Sequence, residues 1–266
     1  MPTVNANGIE IYYELHGPDG ADVLVLSNGI LMGTASWGYQ TPVLSRHCRL
    51  LLYDCRGMWR SEHPAGPYSM ELHADDLAAV LDALEIDRAH IGGISYGGEL
   101  SLAFALKYPA RTRSLIVSSS VSQVDPLLKG FIDSWIAAAR ARDPELLFQV
   151  TCPLNFSEAW IATNQAALDT ARERYKTLDM DAFLELLLAF SRLDLTASLH
   201  AIAAPTLVMV GEEDLLKPRR YAEIIAREIP GAELAVVPHA GHAVSWEQPG
   251  LFNTLVLGHV ARHSGR

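Results

Sequence analysis

Along the chain, short apolar runs alternate with longer amphipathic stretches. Ile9–Leu15 alternates apolar and polar side chains and leads into Gly17-Pro18-Asp19-Gly20, a pattern that predicts an early hairpin. Val23–Leu26, Leu50–Tyr53, Ala89–Ile94, Ser114–Ser118, Thr206–Val210 and Leu234–Val237 read as strands, the continuous apolar ones buried on both faces. Helical patterns lie between them. Ser69 is positioned to cap a helix with Leu72, Leu77, Val80, Leu81 and Leu84 on one face. Another runs from about Tyr96 to Tyr108 and stops at Pro109, and a last one follows Pro249. The alternation predicts an α/β fold, a doubly wound and mostly parallel sheet with helices on both faces.

The pattern breaks between about Val124 and Ser198, where no strand-like run occurs. Leu127–Arg142, Pro144–Val150, Ser157–Leu178 and Asp181–Leu193 read instead as helices. A crossover needs only roughly 10–15 residues, so the block reads as a helical cap inserted over one edge of the sheet. The expected division is a core of residues 1–123 and 199–266 with a cap of 124–198. Open α/β sheets bind ligands at the carboxyl ends of their strands, so a cap there roofs a pocket. Trp59 of the core and Trp135, Phe148 and Trp160 of the cap are the expected substrate-binding residues, and they favour an apolar acyl or alcohol group over a sugar or phosphate. Lys129, Arg140, Arg172 and Lys176 read as solvated helix faces.

Composition narrows the function classes. The 266 residues are 49% hydrophobic and 20% charged, and the formal net charge of −10 argues against a nucleic-acid or anionic-membrane partner. Three cysteines, Cys48, Cys55 and Cys152, show neither a disulfide framework nor zinc-ligand spacing. No signal-peptide pattern and no apolar run near the ~18 residues of a membrane span is visible, so a cytoplasmic location is expected.

The chemistry gathers at three turns. Gly93-Ile94-Ser95-Tyr96-Gly97 is a G-x-S-x-G sequence between a predicted strand and a predicted helix. A sharp strand-to-helix turn there strains the serine and lifts its hydroxyl above the sheet, making Ser95 the expected nucleophile. A serine hydroxyl needs a base, and the base needs an orienting acid. The strand Thr206–Val210 ends in Gly211-Glu212-Glu213-Asp214, where Asp214 is preferred to Glu212 and Glu213 as the acid. The next strand ends in Pro238-His239-Ala240-Gly241-His242, where His242 is preferred to its rival His239 as the base. A tetrahedral intermediate needs backbone donors; the amides of Tyr96 and Ile30, the latter in the Ser27-Asn28-Gly29-Ile30 loop, are the candidates for the oxyanion hole.

With these residues in view, the chain resembles the capped, cofactor-independent α/β-hydrolases over nearly its whole length. The matching features are the Val23–Leu26 strand with Asn28-Gly29, Tyr53-Asp54-Cys55-Arg56-Gly57 with Ser61, the serine turn, Gly211 to Asp214, and Gly241-His242 with Trp246-Glu247-Gln248-Pro249. Leu26-Ser27-Asn28 and the Tyr53–Gly57 stretch are similar to 3-oxoadipate enol-lactonases and related esterases. The resemblance implies a Ser95–Asp214–His242 triad acting on small carboxylic esters without metal or organic cofactor. Carbon–carbon bond hydrolysis or cofactor-free perhydrolysis on the same triad are alternatives, and a small-molecule receptor is the alternative from another class. Two departures stand out. Asn28-Gly29 replaces the family's usual His-Gly, and Trp59 replaces a glycine in Arg56-Gly57-Met58-Trp59-Arg60-Ser61, where it either narrows the pocket or packs outward. The sequence leaves the oligomeric state open.

Overall fold

A computed structural model describes residues 2–265. Strand β1 (Thr3–Ala6) and strand β2 (Ile9–His16) form an antiparallel hairpin across Asn7-Gly8. Both turn residues have positive φ, 52° and 80°, the conformation that the Asn-Gly pair tolerates. The expected early hairpin therefore closes one strand sooner than the sequence suggested. Gly17–Gly20 instead leads to β3 (Val23–Ser27), which does not pair with β2. Strand β2 pairs antiparallel with β4 (Arg49–Tyr53), and beyond β4 all pairings are parallel: β3, β5 (Ala89–Ile94), β6 (Thr112–Ser118), β7 (Thr206–Gly211) and β8 (Glu233–Val237). The order β1-β2-β4-β3-β5-β6-β7-β8 is an eight-stranded, mostly parallel sheet.

Side chains of β3 show how the sheet is buried on both sides. Val23 and Val25 pack in one apolar cluster, Leu24 and Leu26 in the other, as the two-residue strand period requires. The helix α1 (Thr41–Leu44) follows β3. The first cluster is covered by α2 (Met70–Ala83), α3 (Tyr96–Lys107) and, later in the chain, α9 (Arg219–Glu228). The second is covered by α11 (Pro249–His263), through Phe252, Val256 and Val260. Ser69 caps α2 as expected, its Oγ accepting the Leu72 amide at 3.1 Å.

Between β6 and β7 the chain forms α4 (Pro126–Arg140), α5 (Pro144–Asn155), α6 (Glu158–Thr163), α7 (Gln165–Tyr175) and α8 (Met180–Ser191). The single helix expected over Ser157–Leu178 is two helices. Asn164 breaks it at φ −122°, ψ 39°, its Nδ2 donating to the Trp160 carbonyl at 2.9 Å; an asparagine side chain competes with the helix for backbone groups in this way. A last short helix, α10 (Val244–Glu247), precedes α11. Among the described residues no helix is long and apolar enough to cross a membrane.

From β3 the chain moves to β4 on one side and then to β5 on the other. That reversal opens a crevice beyond the carboxyl ends of β3 and β5, where open α/β sheets bind ligands. Ser27-Asn28-Gly29 leaves one wall of the crevice, and Ser95 stands on the other.

Candidate active site

Ser95 sits between β5 and α3 at φ 55°, ψ −122°, a backbone region that costs on the order of 1–3 kcal/mol for a side-chain-bearing residue. Its amide is tied to the Ser118 carbonyl at 2.9 Å. The neighbouring glycines are sterically required. A Cβ on Gly97 would collide with the Ser27 carbonyl, and one on Gly93 with the backbone of Gly97. The serine turn is thus wedged between β3 and the start of α3, which fixes the hydroxyl at the crevice.

Asp214 and His242 meet below this point. Asp214 Oδ2 lies 2.9 Å from His242 Nδ1, and both side chains are buried. The other carboxylate oxygen, Oδ1, accepts the Lys217 amide at 2.8 Å. His242 Nε2 has no hydrogen-bond partner among the described residues. It lines the same cavity as Ser95. The rival groups lie apart from this pair: His239 is exposed, within 4.0 Å of Glu213.

The loop carrying His242 is held from outside. Glu247 Oε1 accepts the Gly241 amide at 3.0 Å, and Oε2 accepts the Ser157 amide at 3.0 Å. One carboxylate thereby joins the histidine loop to the inserted helices. A Cβ on Gly241 would lie 2.5 Å from the Ser157 nitrogen, so this close approach needs glycine.

The expected oxyanion donors are available. Among the described residues neither the Ile30 amide nor the Tyr96 amide has a protein acceptor, and Tyr96 opens α3, where first-turn amides are free. The Tyr96 side chain is committed elsewhere, its hydroxyl paired with His73 Nε2 at 2.8 Å. Asn28 has a structural task. Its Nδ2 donates to the Tyr53 carbonyl at 2.9 Å and to Asp54 Oδ1 at 3.2 Å, while its Oδ1 accepts the Trp37 indole at 2.7 Å.

A cavity of about 120 Å³ lies against Ser95 and His242. Trp59, Trp135 and Phe148 line it, with Met32, Phe156 and Tyr175. Trp160 does not; it stacks on Phe156 at 4.1 Å between ring centroids. Trp59 faces inward and fastens the Ile30 loop, its indole donating to the Met32 carbonyl at 2.8 Å. The Arg174 guanidinium also lines the cavity, 4.3 Å from the Trp59 ring, with no ion-pair or hydrogen-bond partner for its side chain among the described residues. The buried Trp135 Nε1 likewise has no acceptor.

Two residues escaped the sequence reading. Lys217 Nζ lies 3.1 Å from Ser95 Oγ and pairs with Glu99 Oε1 at 2.9 Å and Oε2 at 3.1 Å. The Lys217 and Glu99 side chains are 1% and 0% exposed. Burial pushes the Glu99 carboxyl up, against the pull of the ammonium. The available signal was Glu99 itself, a lone acid on the otherwise uncharged start of α3, four residues after the serine. Ser95 Oγ thus faces Lys217, and no hydrogen bond joins it to His242; catalytic hydrogen bonds commonly tighten only with substrate present.

Among the described residues, one group has metal-ligand proximity, Glu233, His259 and His263. It lies at the opposite end of the strands, and Glu233 is engaged by Arg262 at 2.9 Å.

The sequence pattern of the alpha/beta hydrolase fold family matches residues 22–249. The RutD protein of Azorhizobium caulinodans, provisionally named a carbamate hydrolase, is 32% identical over 263 residues, which cover 97% of each chain. Among solved structures, MGS-M2, an alpha/beta hydrolase enzyme from a Medee basin deep-sea metagenome library, is similar with a TM-score of 0.93 and 30% identity, over 98% of this chain and 97% of that one. The enol-lactonase from Burkholderia xenovorans LB400 is similar with a TM-score of 0.92 and 27% identity, over 98% of this chain and all of the other. With the family pattern running through all but the two ends of the sequence, the chain belongs to the α/β-hydrolase fold family.

Proposed function

We propose that the protein is a serine hydrolase of carboxylic esters, lactones included, that works through an acyl-enzyme. The observation that carries this reading is the buried Asp214–His242 pair, whose free Nε2 shares a cavity with a serine on a strained turn. In the proposed cycle the Ser95 proton passes to His242 Nε2 as Oγ bonds the carbonyl carbon. The carbonyl electron pair moves onto its oxygen, which the Ile30 and Tyr96 amides receive. Collapse expels the alcohol, which takes the proton from His242, and water repeats the sequence to release the acid. Asp214 holds the imidazole in the tautomer with its proton on Nδ1 and stabilises the cation.

The cavity supports an apolar substrate body, and the unpaired Arg174 in its lining supports a carboxylate or other acidic group on that substrate. The likeness to RutD over almost the whole chain favours one second reading, hydrolysis of a carbamate carbonyl by the same steps.

Purified protein assayed with p-nitrophenyl butyrate, a hemi-ester carrying a free carboxylate, a lactone and an O-alkyl carbamate separates these readings. Turnover of the esters or the lactone that disappears in Ser95→Ala supports the first. Turnover confined to the carbamate selects the second. Ligand-induced stabilisation with no turnover of any of the four would replace both with a receptor.

A further inference from the structure

We infer that Lys217 is a catalytic residue of this site, its buried ammonium holding the Ser95 oxygen and stabilising negative charge that develops there, with Glu99 as the positioning residue that keeps the ammonium in place. The inference rests on the serine-hydrolase reading.

Stability alone does not account for this pair. Taking a lysine and a glutamate out of water costs as much as their attraction returns, and an apolar pair of similar volume commonly serves a fold as well or better. Yet Lys217 and Glu99 are both buried, and they adjoin the nucleophile. The geometry uses the ammonium fully. Two contacts go to the Glu99 oxygens and one to Ser95 Oγ. Glu99 Oε1 is fixed in turn by the Val121 amide at 3.0 Å. The Phe190 ring lies 4.5 Å from the ammonium, which keeps water away and adds attraction from its π face.

The same residue touches the site twice. Its amide donates to Asp214 Oδ1, and its side chain donates to Ser95 Oγ. Because the ammonium is a donor, it occupies a lone pair of Oγ and leaves the hydroxyl proton for His242 Nε2. In acylation that proton moves to Nε2 while Oγ bonds the carbonyl carbon; Lys217 neither gains nor loses one. A cavity of about 10 Å³, lined among others by Ile30, Ser95, Tyr96 and Lys217, brings the ammonium beside the residues whose amides await the oxyanion. A fixed positive charge at that place lowers the barrier because it acts in a dry, low-dielectric setting and needs no reorganisation.

The titratable groups facing Lys217 are Glu99 and Tyr96 from α3, and Asp214 from the loop after β7. Trp135 of α4 and Phe190 of α8 add no charge. Replacing Glu99 by Gln removes the carboxylate and leaves the buried ammonium without its counter-charge.

The test is single-turnover release of p-nitrophenolate from p-nitrophenyl butyrate, enzyme in excess, across pH, with thermal midpoints measured for each variant. In Glu99→Gln a falling limb absent from the wild-type acylation profile is expected at alkaline pH, because the buried positive charge has lost its counter-charge. The double variant Lys217→Met/Glu99→Gln carries no unpaired charge; its acylation rate is expected to fall about 10- to 100-fold at every pH, with substrate affinity within twofold and no alkaline limb. A folded double variant that acylates at the wild-type rate overturns the inference, as does a folded Glu99→Gln variant with the wild-type pH profile. Absence of any Ser95-dependent turnover of this ester, the hemi-ester, the lactone and the carbamate alike by the wild type overturns the serine-hydrolase reading, and the inference with it.

Discussion

Asp214→Asn probes the acid–imidazole pair with the smallest possible change in shape. Asp214 Oδ1 accepts the Lys217 amide at 2.8 Å, and Oδ2 faces His242 Nδ1 at 2.9 Å. In the asparagine variant the Lys217 N–H still requires an acceptor, so the amide oxygen keeps the Oδ1 place. The NH₂ group must then take the Oδ2 place and donate to Nδ1. The imidazole answers by moving its own proton to Nε2, the nitrogen that has to receive the Ser95 proton. The side chain fits and the fold survives, but the base is closed. A wrong tautomer of this kind costs about 10⁴ in kcat, or about 5 kcal/mol of barrier. The assay is kcat/KM for p-nitrophenyl butyrate with the thermal midpoint as control, and long-range ¹⁵N correlation of the His242 ring to read the tautomer. A fall of less than tenfold with the ring inverted as described would refute the reasoning.

Three further outcomes follow from the packing. Burial pushes His73 and His90 down to about 4. Between pH 4 and the unfolded value of about 6.5 the unfolded chain binds the extra proton, so stability rises with pH there and is lost on acidification. Each ring contributes on the order of 3 kcal/mol across that window; urea unfolding from pH 4.5 to 7 measures it, and a folded His73→Phe variant with an unchanged slope would contradict it. Arg56 holds Asp76 through two bonds of 2.7 Å inside the core. Arg56→Met is expected to cost about 3–5 kcal/mol by stranding the carboxylate, and Arg56→Met/Asp76→Leu to regain most of it; equal losses in denaturant unfolding of the two variants would argue against this. Trp59→Ala opens the cavity wall beside Met32 and Arg174. The ratio of kcat/KM for p-nitrophenyl octanoate to butyrate is expected to rise about tenfold or more, and an unchanged ratio would mean that the acyl chain lies elsewhere.

Local signals are strong enough for the sheet and for the turns that carry the candidate site. Val23–Leu26 reads as a buried strand, because a four-residue apolar run leaves no polar face and is too short for a helix. Gly93 and Gly97 around Ser95 record a backbone contact that admits no side chain. Asp214 and His242 follow their strands directly, so chain order alone brought them to one edge. Long-range partners were not legible in the same way. Lys217 looks like one more loop cation until Glu99, 118 positions away, is seen beside it. The inward turn of Trp59 depends on Met32 and Arg174, each distant in sequence. Trp160 had the composition of a pocket residue, but its ring is spent on Phe156. Gly17–Gly20 has turn chemistry whichever strand follows it, and only sheet order shows that β3 is not the partner of β2.

Covalent capture shows whether one serine in this chain is a nucleophile. Incubation with a diethyl aryl phosphate should transfer one diethylphosphoryl group per chain, read by intact-mass spectrometry, and peptide mapping should find it on Ser95. His242→Ala should slow the labelling severely. No adduct on the wild-type protein, or an adduct on another residue with Ser95 unmodified, would contradict the account.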